Sequence, residues 1–295
     1  MSRTDHISID TRIVGGLVIV VLLLAVTVLY LYPDTTNPNF AWTIAPRTSA
    51  IMIGAGYAAG AYFFLRVVTG KRWHRVQAGF LPITAFTICM LGATLLHWNR
   101  FHQGTLQFYL WTVIYIITPF LVPFLWWRNR ASASADVEQN DLRFSSPTRW
   151  LLGIAALVGV VISGLAFAVP SVLISAAPWK LTELTARVFA GWSILALLTV
   201  LTIAVDGRWS AARILLESAM LGQALAILAM PRLWGDLDPS RLMTPAFIVG
   251  LPLVFIVFGG LHLWLDRRSQ ARASESKAAV QMAVDRQRGP ANPSQ

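Results

Sequence analysis

Apolar residues along this chain gather into long runs, separated by short polar segments that hold most of the arginines. Runs near 13–32, 48–68, 77–97, 106–127, 150–170, 185–205, 211–230 and 244–264 each supply the roughly 20 residues a helix needs to cross about 30 Å of hydrocarbon. Strands are excluded, because lipid offers no partner to an open backbone and the runs are about twice as long as a barrel strand. Gly54, Gly56 and Gly60 stand among alanines in the second run, which predicts close helix packing there. Pro82, Pro119, Pro123 and Pro252 are expected to bend the third, fourth and eighth runs. The expected fold is all-α, an integral membrane bundle of eight transmembrane helices.

Composition sharpens this. The 295 residues are 56% hydrophobic and 13% charged, about half the usual charged fraction, too little to build a water-soluble surface. The net charge of +10 does not point to nucleic acid, because the basic residues lie at the ends of apolar runs and in the C-terminal tail. There they act as topology signals and as contacts for anionic lipid at cytoplasmic basic loops. The single cysteine, Cys89, lies inside an apolar run, so no intrachain disulfide or thiolate metal cluster is expected. The first run ends in TVLYLYPDTTNP without a small-residue cleavage site and is read as a retained helix rather than a signal peptide.

Orientation follows from lysine and arginine. With the N-terminus inside, only Arg47, Arg100, Lys180, Arg187, Arg232 and Arg241 of the 24 basic residues face outward. Both termini are therefore expected in the cytoplasm, with the chain in a plasma (inner) membrane.

Compared with itself, the chain repeats at an offset of about 137 residues, slipping by one in the middle. This pairs Thr11 and Arg12 with Thr148 and Arg149, Trp42 with Trp179, Thr48 with Thr185, Gly54 with Gly191, Gly70 with Gly207, Trp73 with Trp209, Trp98 with Trp234 and Trp127 with Trp264. The expected organisation is a four-helix repeat over 1–134, a cytoplasmic linker over 135–147, a second four-helix repeat over 148–265, and a frayed basic tail over 266–295. Units with an even number of helices cross in the same sense, so the repeats should be parallel. Such a fusion replaces a homodimer, and the seam between halves becomes the natural place for a ligand.

Candidate chemistry is sparse. Glu217 is the acidic residue lying clearly inside a span, with Arg213 one turn before it. The pair reads either as an ion pair reaching for the cytoplasmic surface or as a protonatable centre facing the bundle. Arg47 and Arg187, each beside a helix start on the outer side, are candidates for an anionic group, and Thr182 and Thr185 read as helix caps. Arg100 aligns with Asp236, which suggests either an ion pair across the seam or two solvated loops. The tryptophans sort by depth, with Trp42, Trp98, Trp179 and Trp234 at the outer boundary and Trp73, Trp127, Trp209 and Trp264 at the inner one, as interfacial anchors do. Among the histidines, His74 and His262 are the pair that could hold a haem between halves, but boundary polar caps are the plainer reading. No catalytic residue, metal site or cofactor is expected.

Trp179, then Thr185, Ala186 and Arg187, Gly191 within the helix, and Gly207, Arg208 and Trp209 after it form a pattern that resembles uncharacterised multi-pass bacterial membrane proteins. The resemblance spans both repeats and implies no activity. Three functions stay open: a structural or accessory membrane protein with a partner not identified by sequence, a transporter or binder of a small molecule or lipid at the seam, and a membrane enzyme.

Overall fold

The computed structural model describes residues 5–132 and 141–288, which form helices joined by short turns, with no strand among the described residues. Helix α1 (Ile9–Val26) runs on through a wide turn over Thr27–Leu31, and a short α2 (Thr36–Asn39) follows. Then come α3 (Arg47–Thr69), α4 (Phe80–Leu96), α5 (Leu106–Asn129), α6 (Ser146–Ala168) and a short α7 (Ser171–Ala176). The chain ends with α8 (Glu183–Asp206), α9 (Trp209–Leu233) and α10 (Met243–Arg288). Setting the two short helices aside, 8 helices among the described residues are long and apolar enough to cross a membrane; they overlie the expected runs, and the last extends well past its run.

Two boundaries differ from the sequence reading. Of the tail expected to fray, the part up to Arg288 continues α10 as helix, and 289–295 lies outside the described residues; its Ala, Glu, Lys, Gln and Arg residues favour helix. Of the expected linker, 133–140 lies outside the described residues, whereas its last part is docked. Leu142 is buried beside Trp209 and Leu265, and Phe144 donates its N–H to the Gly207 carbonyl at 2.9 Å.

Packing is paired. Helix α3 lies between α1 and α9, α8 lies between α6 and α4, and α5 and α10 pack against α4 and α9. Glycine makes the central approaches possible. A Cβ on Gly54 would come within 2.8 Å of the Tyr30 backbone nitrogen, and one on Gly56 within 2.9 Å of the Trp192 ring. Neither neighbour can withdraw without unpacking its helix.

At the end where α1 begins, called here the basic end, the same fixtures occur twice. Arg12 donates to the carbonyls of Val68 and Gly70, both at 2.6 Å, and Arg149 to those of Ala204 and Val205 at 2.8 and 2.6 Å. Asp5 accepts from the His74 backbone N–H at 3.0 Å and bonds its ring, while Asp141 accepts from the Ser210 N–H at 3.3 Å and from its hydroxyl. Each carboxylate thereby ties the segment before a span to another part of the chain, the turn at His74 for Asp5 and the start of α9 for Asp141.

The eight tryptophans expected as a belt divide into two groups. Trp98, Trp127, Trp234 and Trp264 are exposed, with Arg130 over the Trp127 ring at 5.6 Å and Arg268 over Trp264 at 3.9 Å. Trp42, Trp73, Trp179 and Trp209 are instead buried. They precede or begin α3, α4, α8 and α9, where the chain folds back under the bundle. Trp42, for example, packs among Phe40, Phe101 and Trp111.

Candidate functional site

Residues four apart on a helix share a face, and three helices each turn such a pair toward one point near the basic end. Tyr62 and Arg66 come from α3, Arg213 and Glu217 from α9, and His262 and Asp266 from α10. Glu217 is the hub. Its Oε2 accepts from the Tyr62 hydroxyl at 2.5 Å and from Arg66 Nη1 at 2.9 Å, and its Oε1 from Arg213 Nε at 3.0 Å and His262 Nε2 at 3.3 Å. Arg66 Nη1 also donates to the Tyr62 oxygen at 2.8 Å, and Arg213 Nη2 reaches Asp266 at 2.9 Å. Trp209 braces the far side, donating to Asp266 at 3.2 Å and standing edge-on to the His262 ring.

The six side chains form two layers. Arg66, Arg213 and Asp266 lie toward the basic end, and Tyr62, Glu217 and His262 lie one turn deeper. Deeper still, Met220 and Leu221 complete a cleft of about 250 Å³ whose polar lining is Tyr62, Glu217 and His262. Leu221 is exposed, so the cleft opens on the outside of the bundle. Because a carboxylate only accepts, the His262 bond to Glu217 fixes the ring hydrogen on Nε2. His262 Nδ1 bonds no described residue.

Glu217 with Arg213 was expected to form a pair. The structure adds partners on two other helices, and so the pair is more than a local ion pair on α9. Arg47 and Arg187 do not join them. Arg47 is exposed at 3.6 Å from Asp34. Arg187 is buried against the Phe167 carbonyl at 3.1 Å and His97 Nε2 at 2.6 Å, with Glu183 at 3.7 Å. Its Nε and Nη1 are committed to these neighbours, so it stands apart from the Glu217 group. Burial, and after it the Arg187 guanidinium, holds the His97 imidazole below its ordinary value.

The pairing of Arg100 with Asp236 does not form among the described residues. Asp236 accepts from the Thr48 hydroxyl at 2.6 Å and its backbone N–H at 3.2 Å, capping the first turn of α3. Helix α8 is capped by its own Thr182, which accepts from the Thr185 N–H at 3.2 Å, as expected. His74 and His262 are not a haem pair either, since each is engaged with a different carboxylate, Asp5 and Glu217.

Tyr62, Arg66 and Asp266 were not singled out from sequence as site residues. Arg66 was counted only as a topology charge, although its four-residue spacing from Tyr62 repeats that of Arg213 and Glu217. Comparison with protein-family models, with curated proteins and with solved structures finds no match to this chain.

Proposed function

We propose that this multi-pass protein, built from two parallel four-helix repeats in a plasma membrane with both termini cytoplasmic, binds or carries a small amphipathic molecule at the α3, α9 and α10 junction. The repeat reading is supported by reciprocal packing, α3 on α9 and α4 on α8, and by the paired fixtures of Arg12 with Arg149 and Asp5 with Asp141. The junction then lies on the seam, with one wall from the first repeat and two from the second.

The observation that carries the functional reading is asymmetry. Within one position, the repeat register sets Thr199 and Ile203 opposite Tyr62 and Arg66, Val76 or Gln77 opposite Arg213, and Phe80 or Leu81 opposite Glu217. It sets Leu125 or Trp126 opposite His262, and Asn129 or Arg130 opposite Asp266. Val76, Phe80, Leu125 and Ile203 pack into one apolar cluster. The fold thus closes at the equivalent place without a carboxylate. Ionisable side chains within a span carry a cost that the apolar counterpart avoids, so their retention in one half alone points to use.

An accessory role is the second reading. It is favoured by the 46-residue α10, which packs chiefly on α9 and leaves most of its apolar face uncovered. Native mass spectrometry of protein extracted gently from its own membrane separates the two. A stoichiometric small ligand, weakened by Tyr62→Phe, is expected. A stable protein partner with no ligand would favour the accessory role.

A further inference from the structure

The hydrogen-bonding capacity left over at the junction narrows the ligand, an inference that rests on the binding reading above. Both oxygens of Glu217 are saturated by donors from three helices. A cation entering the cleft would have to displace Arg66 or Arg213 to reach the carboxylate. Unused capacity lies instead on the guanidinium groups. Each carries five N–H bonds. Arg66 commits only Nη1, and Arg213 commits Nε and Nη2, so that Arg66 Nε and Nη2 and Arg213 Nη1 bond no described residue. The two side chains are 37% and 45% exposed, flank Glu217 from opposite sides, and lie one turn from the end of α3 and the start of α9. That is headgroup depth. Exposed Lys71 and Arg267 add positive charge at the same end.

Directly beneath lies the cleft. Its volume of about 250 Å³ is that of roughly eight water molecules, too small to enclose a drug-sized solute but fitting for a stretch of one hydrocarbon chain. Met220 and Leu221 give it an apolar wall, and Leu221 opens it to the bundle exterior. Val254, Val257 and Leu261 of α10, the helix that supplies His262, are exposed and apolar.

We propose that the junction is a seat for one anionic membrane lipid of the leaflet at the basic end. Its phosphate accepts from Arg66 and Arg213, and one acyl chain enters the cleft past Leu221. Planar guanidinium groups suit this task, since two N–H bonds can meet two phosphate oxygens at once. The seat is distinct from the general attraction of basic loops, because it needs the cleft as well as the charge.

The test uses the purified full-length chain in a neutral detergent, titrated with phosphatidylglycerol or with phosphatidylcholine of matched chains and read by native mass spectrometry. One phosphatidylglycerol should be retained at a lipid concentration at least tenfold below that needed for phosphatidylcholine. Arg66→Gln and Leu221→Trp should each weaken retention about tenfold. Leu221→Trp leaves the Glu217 bonds intact and should melt like wild type, which guards against a folding artefact in Arg66→Gln. Inorganic phosphate at millimolar concentration should not displace the lipid; if it binds in its place, the seat is for a free anion and the lipid proposal fails. Equal retention of both lipids, still lost in Leu221→Trp, overturns the anionic headgroup while leaving the amphipathic site standing. No retained lipid, or retention indifferent to Leu221→Trp, overturns both.

Discussion

Asp236 closes a loop late in the chain, yet its carboxylate caps a helix that begins at Arg47. Losing such a cap costs about 1 kcal/mol, so Asp236→Ala should lower the melting temperature measurably while Arg100→Ala stays within roughly 0.5 kcal/mol of wild type. Equal effects would revive an Arg100–Asp236 partnership. A second exchange shows the same logic. Trp179 Nε1 donates to Ser49 Oγ at 2.9 Å, whereas the repeat register sets Ala186 where Trp42 would need a hydroxyl, and Trp42 Nε1 is buried without a hydrogen bond to any described residue. Ser49→Ala should cost on the order of 1 kcal/mol in a thermal melt; an unchanged melt would mean that the bond contributes nothing.

His97 supplies a pH dependence. It accepts from Arg187, which requires a bare Nε2, and burial and that guanidinium depress its pKa from 6.5. The folded protein therefore binds this proton less readily than the unfolded chain. The contribution of His97 is complete above about pH 6.5 and is lost as pH falls through the lowered value. Wild type should lose more stability than His97→Gln on going from about pH 7.5 to 5.5. Equal losses would assign the acid sensitivity elsewhere.

For whole elements, length and apolarity were enough to find the spans, because crossing a bilayer leaves a helix no other composition. Side-chain direction was not available in the same way. The depth of Trp73 or Trp179 follows from its place beside a run, but whether the ring faces lipid or the core depends on how the preceding turn folds back, and no local pattern records that. Glu217 stood out because an acid within an apolar run is costly, whereas Tyr62 and His262 became its partners only once α3 and α10 were placed beside α9. Helix α3 also carries a tight constraint. Gly56→Val would drive methyl groups into the Trp192 ring, and overpacking of this kind costs about 1–3 kcal/mol. A melt unchanged by Gly56→Val would show that α8 can retreat from α3.

At the scale of the molecule, the proposed pair of like units would account for α3 and α8 sharing an environment, and for one junction being freed for binding while its counterpart holds the bundle together. The same proposal predicts an orientation. In a background with Cys89→Ser, a cysteine at Ser240 should react with an impermeant maleimide added outside intact cells, and one at Ser274 should not; the reverse pattern would invert the topology.

The central claim is that the charged junction serves ligand binding and is dispensable to the fold. Its most direct test rebuilds the junction with the chemistry of its counterpart, combining Tyr62→Thr, Arg66→Ile, Arg213→Gln, Glu217→Leu, His262→Leu and Asp266→Asn. Ion pairs as exposed as those of Arg66 and Arg213 contribute only about 0–1 kcal/mol each. The account predicts a variant that inserts, melts no lower than wild type, and no longer retains the ligand in native mass spectrometry. A variant that cannot fold, or one that folds and keeps its ligand, would contradict it.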